Sequence, residues 1–365
     1  MPLEAGGYAF DKGGMIILAR RNVTSRDVAK KAGVSRTTVS FVLNDVKEGN
    51  ISEETRQRVL AAAKELNYVP NAAAQALAGQ RTRIIGLVFS GRFQHLPTHF
   101  FLLQLMDGLL KVVQQNGLRL LVDRPGDEQA NGDYLNLVRA KRIDGLIMIE
   151  PQSADSGLRA LARDGFPIVL IGHLPGVKIC SVDVDNRGAA REAVHHLLSL
   201  GHRRIACITN APLTSYTATA ERLLGYRDAL ESTGVPYDES LVRYGVYTPD
   251  SGYSSMASLL DSRKPLPSAV FAASDVVAFG AMTAIQQRGL KVPDDISMVG
   301  FDDVPMARFV NPSLSTVHLP VAEQGRKAAE LLLDVVLKRA EPGRRILLDT
   351  ELVVRNSTGR RVEIS

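Results

Sequence analysis

From Arg83 onward the chain alternates short apolar runs with longer amphipathic stretches, and few folds accommodate that order. The β-like runs fall at Ile84–Phe89, Leu118–Val122, Gly145–Ile149, Pro167–Ile171, Ile205–Thr209, Ala269–Ala272 and Ile296–Phe301. Helical periodicity fills stretches between them, such as Phe101–Asn116, Arg187–Leu200, Glu221–Ser232 and Val276–Arg288. Such alternation predicts parallel sheets with helices on both faces, and about ten strands suit two sheets better than one. Ligands of these sheets bind beyond the carboxyl ends of the strands, so the residues following each run are the first to inspect.

The segment before Arg83 has a different grammar. Thr24 to Asn44 reads TSRDVAKKAGVSRTTVSFVLN. Thr24-x-x-Asp27 is a capping-box-like start, and Val28, Ala29 and Ala32 form the inner stripe of a first helix. Gly33 supplies a turn. Ser35 caps a second helix, with Val39, Val42 and Leu43 facing inward and Arg36, Thr37, Ser40 and Phe41 facing outward. Ser52 caps a third helix, with Glu53 and Glu54 at its positive end and Val59, Leu60, Ala63 and Leu66 as its buried face. Two short helices joined by a glycine turn, the second rich in hydroxyls and led by arginine, have the geometry that seats a helix in the major groove of DNA. Asn71 to Gly79 (NAAAQALAG) favours helix by composition, but it is shorter than the ~12–15 residues an isolated helix needs. It is expected to be helical only when something pins it; a flexible linker is the alternative.

Charge follows the same division. Arg20 to Arg83 carries twelve Lys/Arg against six Asp/Glu, whereas the rest carries 32 against 33. The basic excess therefore sits in the head. A solvated charged face would explain it, but groove-reading architecture in the same segment favours phosphate binding. No apolar run approaches the ~20 residues that cross a bilayer, and Met15 to Ala19 is too short for a signal-peptide core. A cytoplasmic protein is expected. Cys180 and Cys207 lack metal-ligand spacing, so neither a zinc site nor a disulfide framework is expected, and no cofactor is implied.

The chain resembles the lactose-repressor/galactose-repressor family of bacterial transcription regulators. The resemblance runs from about Val23 to Val354. Its pieces are DVAKKAGVSRTTVSFVLN (27–44), LNYVPNAAAQALAG (66–79), RIIGLVF (83–89), IDGLIM (143–148), LLSLGHRRIACI (197–208), ERLLGYRDAL (221–230), VFAASDVVAFGAMTAI (270–285), VPDDISMVGFDDVPMA (292–307) and NPSLSTV (311–317). It implies an all-α helix-turn-helix head and an α/β core of two doubly wound parallel-sheet lobes, of the periplasmic-binding-protein type. The expected boundaries are a disordered extension at 1–22, the head at 23–68, a hinge at 69–82 and the core at 83–360. The first lobe is expected at about 83–180 and 312–342 and the second at about 181–311 and 343–360, with crossings near Cys180, Asn311 and Gly343. The implied partners are a near-palindromic duplex operator, a small-molecule effector, and a second copy of the chain or a tetramer.

The resemblance also assigns residues. Arg36 and Thr37 match base-reading positions; Arg36 would meet guanine bidentately, the alternative being a phosphate-only or solvated arginine. Ser35 would hold a phosphate or act as a plain N-cap. Thr24, Thr38, Ser40 and Asn44 suit phosphate positioning. Phe41 stands where many relatives carry arginine, which changes the expected half-site. Asn71, Ala74 and Leu77 match positions that meet the minor groove. In the core, Arg222, Asp275 and Asp302 match ligand contacts, with a surface ion pair and helix or turn capping as alternatives. Phe100, Phe101, Tyr247 and Phe301 are candidates for stacking on a ring, or for the core. Gly172-His173 replaces an aspartate frequent in relatives, and His99 a proline. A saccharide is the expected effector, a nucleobase or nucleoside the rival.

Two other classes compete. A transport-type sugar-binding protein would share the core but not the basic head. An enzyme on a doubly wound fold would need a phosphate loop, a nucleophile elbow or a metal cluster, and none is legible; His195 and His196 read as helix-surface residues. If paired Leu77 side chains wedge the central base step, Leu77→Ala sharply weakens operator binding and leaves effector binding intact. Equal loss of both in parallel titrations would make Leu77 a core residue.

Overall fold

The computed structural model describes residues 23–43, 51–69, 81–89, 100–123, 133–152, 154–210, 217–262 and 265–361. It divides into two compact units, Met1–Thr82 and Arg83–Ser365. The extension at 1–22 and most of the hinge at 69–82 lie outside the described residues.

Among its described residues the first unit holds three helices, α1 (Ser25–Ala32), α2 (Arg36–Leu43) and α3 (Glu53–Glu65). Thr24 donates its backbone N–H and its hydroxyl to Asp27 at 2.8 and 2.7 Å, fixing the start of α1. Gly33 ends α1 at φ 67°, a conformation glycine adopts without strain. Val28, Ala29, Ala32, Val39, Val42, Val59, Ala62 and Ala63 form the core. Leu60, expected inward, is instead 41% exposed, with Ala62 in its place. The i, i+3, i+4 spacing from Val59 selects 62 and 63 and turns residue 60 to solvent.

The second unit holds two six-stranded sheets. One has the order β11-β5-β4-β3-β1-β2: Arg345–Leu348, Cys180–Val184, Ile168–Ile171, Gly145–Ile149, Ile84–Phe89 and Arg119–Asp123. All its pairings are parallel. The other has the order β12-β10-β9-β8-β6-β7: Glu351–Val353, Ser315–His318, Ser297–Asp302, Ala269–Ala272, Ile205–Thr209 and Val242–Tyr244. Among the described residues only β12 runs antiparallel, against β10. It follows β11 after two residues, leaving one sheet at a carboxyl end and entering the other at a carboxyl end, which forces the reversal.

Helices cover the sheets: α4 (Phe100–Gln115), α5 (Asp133–Arg139), α6 (Ser156–Arg163), α7 (Asn186–Ser199), α8 (Thr217–Ser232), α9 (Pro249–Leu260), α10 (Asp275–Gln287) and α11 (Val321–Val336). Among the described residues, twelve strands replace the ten expected. The lobe crossings also shift. β5 and β11 belong to the first sheet and β10 to the second, so the chain crosses after Val184, His318 and Leu348 rather than near Cys180, Asn311 and Gly343. Each displacement is one short strand, and two of the three carry buried polar residues. Ser181 and Asp183 of β5 and Ser315 and Thr316 of β10 are buried.

Close helix packing sets the walls. A Cβ on Gly280 of α10 would lie 1.8 Å from the Pro249 carbonyl oxygen, and one on Gly252 of α9 would lie 2.0 Å from that of Val277. Gly280→Ala gains ~1 kcal/mol of helix propensity but forces the two helix backbones apart. We expect a net destabilisation of about 2–3 kcal/mol, read from denaturant titration; an unchanged midpoint would mean the pair separates freely.

Candidate functional site

The described residues present two surfaces, one in each unit. On the head, Ser35 caps α2 by accepting from the Thr38 N–H at 3.0 Å, with the two hydroxyls 2.9 Å apart. This engages Ser35 as an N-cap. Arg36 and Thr37 follow at the first turn and are exposed, while Thr38, Ser40 and Phe41 are half-buried. Arg36 has no ion pair or side-chain hydrogen bond among the described residues. Its guanidinium projects from a helix whose opposite face is anchored by Val39 and Val42, with Lys31 of α1 paired to Glu65 of α3. Asn44, Asn71, Ala74, Leu77 and His99 lie outside the described residues.

In the core, the carboxyl ends of the two sheets face each other across a cavity. The first lobe lines it with Phe100 and Phe101 at the start of α4, Glu150 after β3, Asp183 of β5 and Gln324 of α11. The second lobe lines it with Asn186, Thr217 and Arg222, with Tyr247, and with Asp302 at the end of β9. Arg222 is the fixed point of this wall. Its Nε donates to Asn186 Oδ1 at 2.9 Å and its Nη1 to the Ala273 carbonyl at 2.6 Å. The same Nη1 lies 3.6 Å from Asp302 Oδ1, and the guanidinium stacks 3.8 Å from the centroid of the Phe301 ring.

Burial shifts the acids here. Asp302 is pushed up to about 7 by desolvation, which Arg222 only partly offsets. Glu150 is raised by burial against the opposing effects of a hydrogen bond from Tyr247 and the Arg222 charge. That bond joins the lobes. A second bridge forms at His173, whose Nδ1 is 2.9 Å from Asp183 and whose Nε2 is 3.4 Å from Glu221 of α8. Thr217 also donates its hydroxyl to the His173 carbonyl at 3.1 Å. The hydrogen bond to Asp183 raises the His173 pKa, and burial raises that of Glu221.

Comparison with known proteins extends over most of the chain. Residues 24–71 match the family described as bacterial regulatory proteins, lacI family, and residues 194–358 match the periplasmic binding protein-like domain. The chain is 38% identical over 344 residues to the HTH-type transcriptional regulator CelR of Thermobifida fusca, covering 93% of this chain and 99% of CelR. The HTH-type transcriptional regulator DegA of Bacillus subtilis (strain 168) is 37% identical, covering 92% and 98%. The solved lac repressor dimer bound to operator and the anti-inducer ONPF superposes with a TM-score of 0.80 at 32% identity, covering 93% of this chain and all of that one.

The chain belongs to the lacI family of bacterial regulatory proteins.

In this lacI-family core, five residues expected at the effector site do line one cavity: Phe100, Phe101, Arg222, Tyr247 and Asp302. Two do not. Phe301 is fully buried beneath Arg222 and steadies that guanidinium rather than meeting a ligand. Asp275 is also fully buried and set behind the wall. Its carboxyl accepts from Thr316 Oγ1 at 2.5 Å and from the Val304 N–H at 2.8 Å, tying α10 to β10 and to the turn after β9. The carboxyl-end rule picked it out, but the first turn of α10 directs it inward. Sequence reasoning missed Glu150, Asp183 and Gln324. Glu150 directly follows β3, where the same rule points; Asp183 sits inside an unrecognised strand, and Gln324 looks like any polar residue on an amphipathic helix.

Asp275→Ala leaves a buried backbone N–H and a threonine hydroxyl without their acceptor. We expect a loss of about 2–3 kcal/mol in chemical denaturation without any ligand; full stability together with lost effector binding would return Asp275 to the ligand site.

Proposed function

We propose that this regulator is a sugar-responsive transcriptional repressor, which binds a near-palindromic operator as a pair of chains and adjusts its affinity through the inter-lobe cavity. The observation that carries the reading is the composition of that cavity. Carboxyl groups of Glu150 and Asp302 face a fixed guanidinium, beside the aromatic rings of Phe100, Phe101 and Tyr247. Vicinal hydroxyls are recognised by charged, oriented partners, and a sugar ring packs on an aromatic face. CelR has been solved as a cellobiose complex, and this chain superposes on it with a TM-score of 0.71 at 35% identity.

The coupling is a shift between two arrangements of the lobes. Glu150 with Tyr247 and His173 with Glu221 hold the lobes together, and a ligand seated among these groups changes the balance between closed and open states. A ligand moves that balance only by its difference in affinity for the two. On the head, Arg36 reads base edges while Ser35, Thr38 and Ser40 set the helix against the phosphates.

The test titrates full-length protein against duplex fragments from its own upstream region, over a salt series and with a panel of sugars. We expect one fragment to be preferred over scrambled duplex, a steep fall in affinity with salt, and one sugar that changes operator affinity about tenfold or more. Arg36→Ala is expected to cost about 1–3 kcal/mol and relax preference at a single base pair. No fragment preference with any sugar present would overturn the proposal.

A further inference from the structure

The first-lobe wall of the cavity contains a polar side chain with nothing to bind. Gln324 of α11 is 3% exposed and lines the cavity. Among the described residues its Oε1 is a buried acceptor without a partner. The buried residues around it on the same helix, Val321, Ala328, Leu331 and Leu332, are apolar. An unpaired buried amide weakens a fold, so an apolar side chain would serve the packing better. The position makes physical sense when the cavity is filled. The terminal torsion of glutamine is soft, so the amide can accept one hydroxyl proton at Oε1 and donate an Nε2 proton to a neighbouring hydroxyl.

The charges point the same way. Among the described lining residues the formally charged side chains are Glu150, Asp183, Asp302 and Arg222. Arg222 commits Nε to Asn186 and Nη1 to the Ala273 carbonyl, and Asp183 is already held by His173 and Arg345. That leaves the carboxyl groups of Glu150 and Asp302 against one guanidinium, so an incoming anion meets more acids than cations, whereas hydroxyl groups meet both acceptors and donors. We propose that Gln324 is a specificity-determining contact for an uncharged, hydroxyl-rich effector, and that the excess of two carboxyl groups over one guanidinium in the cavity disfavours phosphorylated or carboxylated sugars. This rests on the sugar-responsive reading above and narrows it.

Calorimetric titration of the full-length protein with neutral sugars (cellobiose, maltose, glucose, galactose) and anionic ones (glucose 6-phosphate, galacturonate) tests this, repeated for Gln324→Leu. We expect a neutral sugar to bind, its anionic counterparts to bind at least about a hundredfold more weakly, and Gln324→Leu to weaken the neutral sugar about tenfold or more. Without ligand, the leucine variant is expected to melt at or above the parent temperature, because a buried orphan amide is gone. Unchanged sugar affinity in that variant overturns the contact, as does joint loss of binding and thermal stability, which would make the amide structural. An anionic sugar that binds as tightly as the neutral one overturns the charge argument. If a neutral sugar binds and alters operator affinity while Gln324→Leu does nothing, only this inference falls. If no sugar binds at all, the sugar-responsive reading falls with it.

Discussion

A guanidinium that is almost wholly buried must be paired from within, and Arg222 organises the core of this molecule on that condition. Asn186, the Ala273 carbonyl, Asp302 and the Phe301 ring converge on it from α7, the end of β8 and the end of β9. Remove that cation and the second-lobe wall would hold a desolvated acid with no counter-charge. With it in place, Asp302 keeps a carboxyl at the cavity whose ionisation lies close to neutrality. Glu150 reaches the same region from the opposite lobe, so both halves of the core present acids to whatever enters.

The two aspartates at adjacent strand ends show how environment separates identical chemistry. Asp275 and Asp302 are both buried, and burial raises both. Asp275 is surrounded by a threonine hydroxyl and a backbone N–H, so it works as a strut. Asp302 faces a guanidinium and open cavity, so its remaining lone pairs are available. Neighbouring groups, rather than the residue type, decide which acid can meet a ligand.

Much of this could be read from the chain before any coordinates. The caps at Thr24, Ser35 and Ser52 announced the helices of the head, because a hydroxyl or carboxylate placed before an apolar stripe has a single local role. The long apolar runs announced the central strands. Short strands with polar interiors did not announce themselves: CSVDV and STVH bury serine, threonine and aspartate whose partners include distant residues such as Arg345, Thr358 and Asp275. The lobe crossings were misplaced for that reason. The cavity was half legible. Its strand-end acids follow a positional rule, whereas Gln324 becomes conspicuous only when the partners it lacks can be searched for in space.

The crossings carry a mechanical consequence. β11 runs beside β5, with Leu348 opposite Val184, and β12 runs beside β10, with Glu351 opposite His318. The three connections therefore leave the sheets at neighbouring edges and work as one axle instead of three separate tethers. Links grouped at one edge resist shear and twist more than they resist rotation about that edge. Stiffening any of these short links would slow the opening and closing without altering an atom that a nucleic acid or a small molecule touches.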